Sequence, residues 1–337
     1  MPVRWWLAWG GAAAAVFAAI GLRAGGDQWW PVFPLLFGPR WMALPLLVLP
    51  LPLLLSRPRS GIVPALLTMV AVLAGILGMR IGPARIGLAA SGPTMFRLVE
   101  FNMATSQAVT RTTLARLDSM DADVATLVEC PSYSDAIRVP AGWNFKSGGE
   151  LCFLSKFPIV AWDFRSQDDI WKLHGKLAIA KATIRIGSQA VTIALLHLKS
   201  PRDALIEFRH PSAWPGLSTG VDSISAIRNV ESRLAIAFLQ PVIDSGGPLI
   251  VAGDFNTPEE SRIYSRWWSR FSDAFEEAGI GAGYSWHSRW HGIRIDHILM
   301  NDRVASRRTW IGPDLGSDHV PVLADLVVRP QRTSTAR

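Results

Sequence analysis

Three apolar runs fill most of the first 81 residues of this chain, at residues 5–22, about 41–55 and 62–81. A helix needs roughly 20 consecutive apolar residues to cross a bilayer. The first and third runs reach that length; the second is shorter and is broken by Pro45, Pro50 and Pro52. None has the polar face of a helix lying on a soluble core, and a cleavable signal peptide would account for the first run alone. Six of the 15 tryptophans (Trp5, Trp6, Trp9, Trp29, Trp30 and Trp41) stand at the run ends, as in an interfacial aromatic belt. Residues 1–85 are therefore expected to form a transmembrane region of about three helices, the middle one kinked.

The net charge of +7 would suit a nucleic-acid partner, but its distribution points elsewhere. Residues 1–94 hold seven basic side chains and a single acid, Asp27, so the rest of the chain carries a net +1. The basic excess thus belongs to the apolar region, where it bears on insertion and on anionic head groups. Arg57 and Arg59, between the second and third runs, favour a cytoplasmic loop there; Arg80 and Arg85 pull the opposite way, leaving the positive-inside count balanced. Cys130 and Cys152 fit either a disulfide in an oxidising compartment or reduced thiols in a core.

A Gly/Pro/Ser-punctuated linker at 86–94 separates this region from a second domain at 95–330, followed by a short tail at 331–337. The pattern predicts strands at 96–102, 124–129, 151–155, 176–186, 190–197, 249–253, 295–300 and 320–328. Helices are expected at 110–120, with Thr110 as its cap, and at 224–243, where Ile227, Val230, Leu234, Phe238 and Val242 share one face. Strands outnumber helices and several adjoin without a crossover helix, which predicts a mixed-sheet α/β sandwich. Polar residues gather where strands end: Asn102, Glu129, His197, Asp254, Asn256, Asp296, Asp318 and His319. Asp and Asn at such positions also make ordinary turns. Taken together, however, carboxylates, amides and imidazoles without a Ser or Cys nucleophile motif suit a hard divalent cation and a water nucleophile.

Several short segments recur in one order: Phe101-Asn102, Val128-Glu129, Leu154-Ser155-Lys156-Phe157-Pro158-Ile159, His197-Leu198, Gly253-Asp254-Phe255-Asn256-Thr257, Ser285-Trp286, Arg294-Ile295-Asp296-His297-Ile298-Leu299 and Ser317-Asp318-His319-Val320-Pro321-Val322. In this set the chain resembles the endonuclease/exonuclease/phosphatase superfamily over about residues 95–328. The resemblance implies a DNase I-like four-layer α/β sandwich, two packed mixed β-sheets flanked by helices. It also implies a metal-dependent hydrolase of phosphoric esters or pyrophosphates. Under it Glu129 is the principal Mg²⁺ ligand (Mn²⁺ being the alternative ion), with Asn102 and Asp318 near the metal. His319 takes a proton from the attacking water or contacts the phosphate, and Asp296 orients its imidazole. Asp254 and Asn256 position nucleophile and phosphate, and His197 donates to a phosphoryl oxygen. Whether Asp254 or His319 is the general base stays open. His297 is expected to be structural, because neighbours on a strand face opposite sides. His174, His210, His287 and His291 are expected on solvated loops, residues 155–159 in packing, and Trp267 and Trp268 in the core.

The fold hosts many substrates, so the anchor is the better guide to this one. A short helical anchor followed by this domain is similar to the membrane-bound bacterial group that includes the teicoplanin-resistance protein VanJ. That likeness implies a multi-pass protein of the bacterial cytoplasmic membrane with an extracytoplasmic catalytic domain. Its substrate would be a lipid-linked phosphate such as undecaprenyl pyrophosphate, with a role in cell-envelope lipid metabolism and glycopeptide resistance. The alternatives are a membrane-tethered nuclease and a phospholipid phosphodiesterase of sphingomyelinase type. A nucleic-acid partner is disfavoured by the nearly neutral domain, Arg303, Arg307 and Arg308 reading more simply as a solvated turn than a basic patch, and no protein partner is evident. The loop 200–223, with Phe208, Trp214, Pro215 and Leu217, either dips toward the interface or covers the sheet.

Overall fold

Alternation along the strands sorts the domain's side chains into three apolar layers. Phe96, Leu98, Ile193, Leu195, Ile250, Ala252, Ile298 and Met300 form one cluster between two sheets. Their neighbours Val99 and Phe101 join Val109 and Leu114 on one outer face, while Leu196 and Val251 join Phe238 and Leu239 on the other. The result is helix, sheet, sheet, helix. The computed structural model describes residues 3–83, 95–131, 137–165, 171, 175, 177–208, 210 and 216–329. The 86–94 linker, the 331–337 tail, Arg85, His174, Trp214 and Pro215 lie outside the described residues.

The first sheet has the strand order Ser272–Asp273, Asp296–Met300, Leu249–Asp254, Gln189–His197, Ala178–Ile186, Ile159–Arg165. The second runs Val304–Ile311, Val322–Val328, Met95–Asn102, Val124–Val128, Leu151–Ser155, Asn144–Gly148. Each is antiparallel except for one parallel pair: Gln189–His197 beside Leu249–Asp254, and Met95–Asn102 beside Val124–Val128. These are the mixed sheets the sequence predicts. Arg307 and Arg308 belong to the strand Val304–Ile311 rather than to a turn.

Two helix expectations need correction. The helix placed at 110–120 is Gln107–Arg116, because Ser106 is its cap and accepts from the Val109 amide, while the Thr110 hydroxyl bonds back to the Ser106 carbonyl at 2.8 Å. The helix placed at 224–243 is Leu217–Ser245. Cys130 and Cys152 form a disulfide with Cα atoms 5.9 Å apart.

In the amino-terminal region, Val3–Ala24 and Pro58–Ile76 are long and apolar enough to cross a membrane, and most of their surface is not covered by protein. The middle run is not the single helix expected: it is a 3₁₀ segment, Arg40–Val48, and a short helix, Leu51–Ser56. Pro45 lies inside the first piece and Pro50 precedes the second, and a ring without an N–H cannot continue an α ladder. Arg23 Nη1 donates to the Gly75 carbonyl at 2.7 Å, so both long helices end at the same side. That side docks on the sheets' loops. Arg40 pairs with Glu260 at 2.8 Å, Arg80 pairs with Glu259, and Arg80–Ile81 forms an antiparallel ladder with Ile280–Gly281. Arg40 and Arg80 are thus spent on the protein and not on head groups. Phe208 stacks on Phe33, so the described part of the 200–223 segment covers the helical region rather than the sheet.

Candidate active site

The inter-sheet face runs out of apolar residues at one end. Following Phe96 and Leu98 on the same face come Glu100 and Asn102; Asp254 follows Ile250 and Ala252; His197 follows Ile193 and Leu195; Asp296 precedes Ile298. A residue period of two therefore delivers one amide, one imidazole and three carboxylates to a single pocket floor. His297, one residue off this register, faces away: it bonds Asp273 at 2.7 Å and the Thr257 carbonyl at 2.9 Å, a structural role as expected.

Backbone strain aims two more groups inward. Glu129 and Asn256 have φ of +51° and +47°, a region non-glycine residues seldom occupy outside functional sites. The turn at Glu129 is why the strand stops at Val128. Gly253 precedes Asp254 for a steric reason: a Cβ there would overlap the Leu196 carbonyl oxygen of the parallel strand.

The polar groups interlock. Asn102 Nδ2 donates to Asp254 Oδ2 at 3.0 Å and to Glu129 Oε1 at 3.3 Å. The Thr105 hydroxyl donates to Glu129 at 3.0 Å. Asp254 accepts from the Asn256 amide at 2.7 Å and from its side chain at 3.2 Å. His319 Nδ1 meets the Asp296 carboxylate at 2.9 Å, leaving Nε2 directed toward Asp254 Oδ2 at 3.8 Å. Across the pocket, His197 Nδ1 meets Glu150 Oε1 at 2.6 Å, and its Nε2 lies 3.7 Å from Asp254 and 3.8 Å from Glu129. A carboxylate only accepts, so in both pairs Nδ1 carries the proton and Nε2 serves the pocket. Asp318 is exposed at the rim, where Trp286 Nε1 donates to it at 3.0 Å.

All eight residues singled out in the sequence thus line one pocket or its rim. Three more were missed: Glu100 on the pocket floor, Glu150 and Trp286. Glu150 follows a Gly-Gly turn, and nothing local links it to His197, 47 residues away. Trp286 was visible only as half of the Ser285-Trp286 pair; Ser285 accepts from the Asp296 amide at 3.0 Å while Trp286 holds Asp318. His291, expected on a solvated loop, is half-buried and bonds the Phe37 carbonyl at 3.0 Å; His210 is exposed as expected, and His287 is exposed but lies in the short strand Trp286–His287 rather than a loop. Trp268 is fully buried in the core, as expected, and Trp267 is half-buried.

The pocket's electrostatics are those of crowded acid. Burial, followed by the charge of Asp296, raises Asp254 to about 6. Burial also pushes Glu100 well above the ordinary carboxylate range, reinforced by Asp296 and Asp254, and neither of its oxygens has a hydrogen-bond partner among the described residues. Burial would lower His319, but the Asp296 carboxylate overrides it and raises the imidazole to about 9. Ligand atoms of Asp254, Asp296 and His319 all lie within 4.8 Å of one another. Orphaned buried carboxyl oxygens beside a close oxygen and nitrogen donor set fit a divalent cation.

Solved structures share the fold. Humanised D. rerio TDP2 superposes with a TM-score of 0.53 at 16% identity, over 69% of this chain and 99% of that one. An endonuclease/exonuclease/phosphatase from Bacteroides vulgatus gives 0.52 at 15%, over 70% and 100%. A family protein from Bacteroides thetaiotaomicron gives 0.51 at 14%, over 71% and 99%. Among curated proteins no sequence matches. The sequence profile of the endonuclease/exonuclease/phosphatase family matches residues 99–319, a span that begins within the Asn102 strand and closes on His319. The chain belongs to that family of metal-dependent phosphoester hydrolases.

Proposed function

We propose that this protein is a membrane-anchored phosphohydrolase that cleaves a phosphoester or pyrophosphate bond in a lipid-linked substrate such as undecaprenyl pyrophosphate, outside the bacterial cytoplasmic membrane. The observation that carries this reading is the position of the pocket beside the apolar helices. Trp286, which bonds Asp318 at the rim, packs against the cluster of Phe33, Leu36 and Phe37. Next to that cluster, Trp29, Trp30, Leu35, Trp41 and Met42 are exposed. A phosphate in the head-group layer would lie level with such a rim.

Sidedness is part of the same proposal. Arg40 and Arg80 are neutralised by Glu260 and Glu259, and Arg23 is bonded to a helix carbonyl. Arg4, Arg57 and Arg59 lie at the opposite end, with no acidic residue near them in sequence. The reading takes that end as cytoplasmic and the pocket as extracytoplasmic. The disulfide Cys130–Cys152 suits the same oxidising side. The stretch Arg40–Ser56 reaches roughly 30 Å, 3₁₀ residues rising about 2 Å each, enough for a third pass between the two long helices.

In the reaction, Glu129, Asn102 and Asp318 would hold a divalent cation, Mg²⁺ or Mn²⁺, beside the close donor set of Asp254, Asp296 and His319. When bound, such an ion neutralises charge on the phosphoryl oxygens. Asp254 and Asn256 orient the attacking water. His319, fixed by Asp296, and His197, fixed by Glu150, face the phosphoryl group from two sides with Nε2, one accepting or holding the water's proton and the other donating to a non-bridging oxygen. Asp254, at about 6, is ionised at neutral pH and can be the base as it stands, whereas His319, at about 9, can be the base only once its own Nε2 proton has left.

Phosphate release from undecaprenyl pyrophosphate by the purified full-length protein tests the reading, in parallel with phospholipids and DNA and with Mg²⁺ or chelator. Release from the isoprenyl substrate alone supports it. DNA cleavage without phosphate release would replace it with a tethered nuclease, the reading that D. rerio TDP2 with a single-strand DNA product brings to mind at 14% identity.

A further inference from the structure

The single acid of residues 1–94, Asp27, is fully buried and reaches the catalytic turn. Its Oδ2 accepts from the Ser261 hydroxyl at 2.5 Å and its Oδ1 from the Arg262 amide at 3.1 Å, while its backbone carbonyl accepts from the Ser225 hydroxyl. Its carboxylate also faces Arg228, whose side chain is completely buried, at 4.0 Å. Arg228 has two sides. One lies over the Phe37 ring at 5.5 Å and faces Asp27, both in the helical region. The other donates from Nη2 to the Asn256 carbonyl at 2.5 Å and to the Thr257 hydroxyl.

The segment from Asn256 to Arg262 is therefore gripped at both ends by a charge pair with one partner in the helical region. Asn256 itself sits at φ +47°, a conformation that persists only where the surroundings hold it. A fully buried guanidinium needs a counter-charge, and Asp27 is the carboxylate that the helical region supplies. We infer that the helical region is a working part of the active site: Asp27, acting through Arg228, is a positioning residue that fixes the turn presenting Asp254 and Asn256 to the nucleophile. This rests on the reading of those two residues as the water-orienting pair. A domain joined to its anchor by a linker alone would need none of these contacts.

Full-length protein in detergent micelles, as wild type, Asp27→Asn, Asp27→Glu, Phe37→Leu and the control Arg59→Gln, tests the inference with two readouts. The first is hydrogen–deuterium exchange of peptides covering residues 255–263 and 189–197. The second is turnover of bis(p-nitrophenyl) phosphate with Mg²⁺. Asp27→Asn should speed exchange at 255–263 at least tenfold, leave 189–197 unchanged, and lower kcat tenfold or more with KM within twofold. Asp27→Glu should recover part of kcat, Phe37→Leu should move both readouts less in the same direction, and Arg59→Gln should move neither. Unchanged exchange and kcat in Asp27→Asn overturn the inference, as does a raised KM with kcat preserved. If Asp27→Asn does not fold, Phe37→Leu decides by the same criteria. If the wild type leaves the probe intact, the diester is not a substrate, the functional reading stands or falls on undecaprenyl pyrophosphate, and exchange at 255–263 alone decides whether Asp27 fixes the turn.

Discussion

Each imidazole in the pocket is tied at Nδ1 to its own carboxylate, so the two histidines are oriented independently: His319 by Asp296 and His197 by Glu150. Removing an orienting carboxylate typically costs 10- to 100-fold. Glu150→Gln should therefore lower kcat by about that factor while leaving the melting temperature within a few degrees; a Glu150→Gln enzyme with wild-type kcat would remove His197 from the chemistry. With Glu129 in its proposed role as metal ligand, Glu129→Gln should cost more, about a thousandfold or ~4 kcal/mol of transition-state stabilisation, because it would remove a charge from the cation's cradle. Metal titration followed by activity would check it, with tighter metal dependence lost alongside turnover. At this scale the sequence was informative wherever chemistry sits at the end of a strand, since strand register alone brings Asn102, His197, Asp254 and Asp296 to one face. It was silent on Glu150, which reaches His197 only through the pairing of two sheets.

Among the elements, the hairpin that carries Glu150 is fastened to the strand that carries Glu129. Leu127 pairs with Cys152, the Cys130 amide donates to the Glu150 carbonyl at 2.9 Å, and the disulfide closes a separation of 22 residues. Loop-closure entropy for that length is worth about 3 kcal/mol. Replacing both cysteines by Ser should lower unfolding stability by about that amount, measured by denaturant titration, and should lower kcat through both acids at once. The loops that meet the helical region are held by charge instead. Burial opposes ionisation of Asp273 and Glu260, yet Arg294 and His297 hold Asp273, and Arg40 holds Glu260, below the ordinary carboxylate range. Folded-state pKa values depressed in this way add stability that is present above the unfolded values, near 4, and is lost as pH falls through the folded ones. Acidification below about pH 4 should thus loosen the docking of the helical region, seen as faster exchange at residues 257–262 and 273–281; an interface equally protected at low pH would contradict it.

The whole molecule is one structure in which an apolar bundle and a four-layer sandwich share buried ion pairs. Expressing residues 84–337 alone would expose Ala204, Val221, Ile224, Ile293 and Ile295 and leave Arg228, Glu259 and Glu260 without their partners in the helical region. An unpaired buried charge costs about 3–5 kcal/mol, and Glu260 would become one, so this fragment should aggregate or melt far below the full chain, as thermal unfolding would show. The proposed sidedness predicts that a reporter fused after Arg337 is active only in an extracytoplasmic compartment and that cysteines placed at Arg57 or Arg59 resist an impermeant thiol reagent in intact cells. The reverse pattern would invert the topology. What the sequence determined by itself was whatever depends on a short repeat: the apolar runs, the strand periods, the ordered motifs and hence the family and the pocket. What only the tertiary structure decided was whatever depends on contacts between distant segments, namely the choice of Ser106 over Thr110 as a cap, the breaking of the middle run, and the fate of its charges. Asp27, Arg40 and Arg80 read in sequence as isolated charges in an apolar region, because a local pattern carries no record of Arg228, Glu260 and Glu259, which lie some 180 to 220 residues downstream.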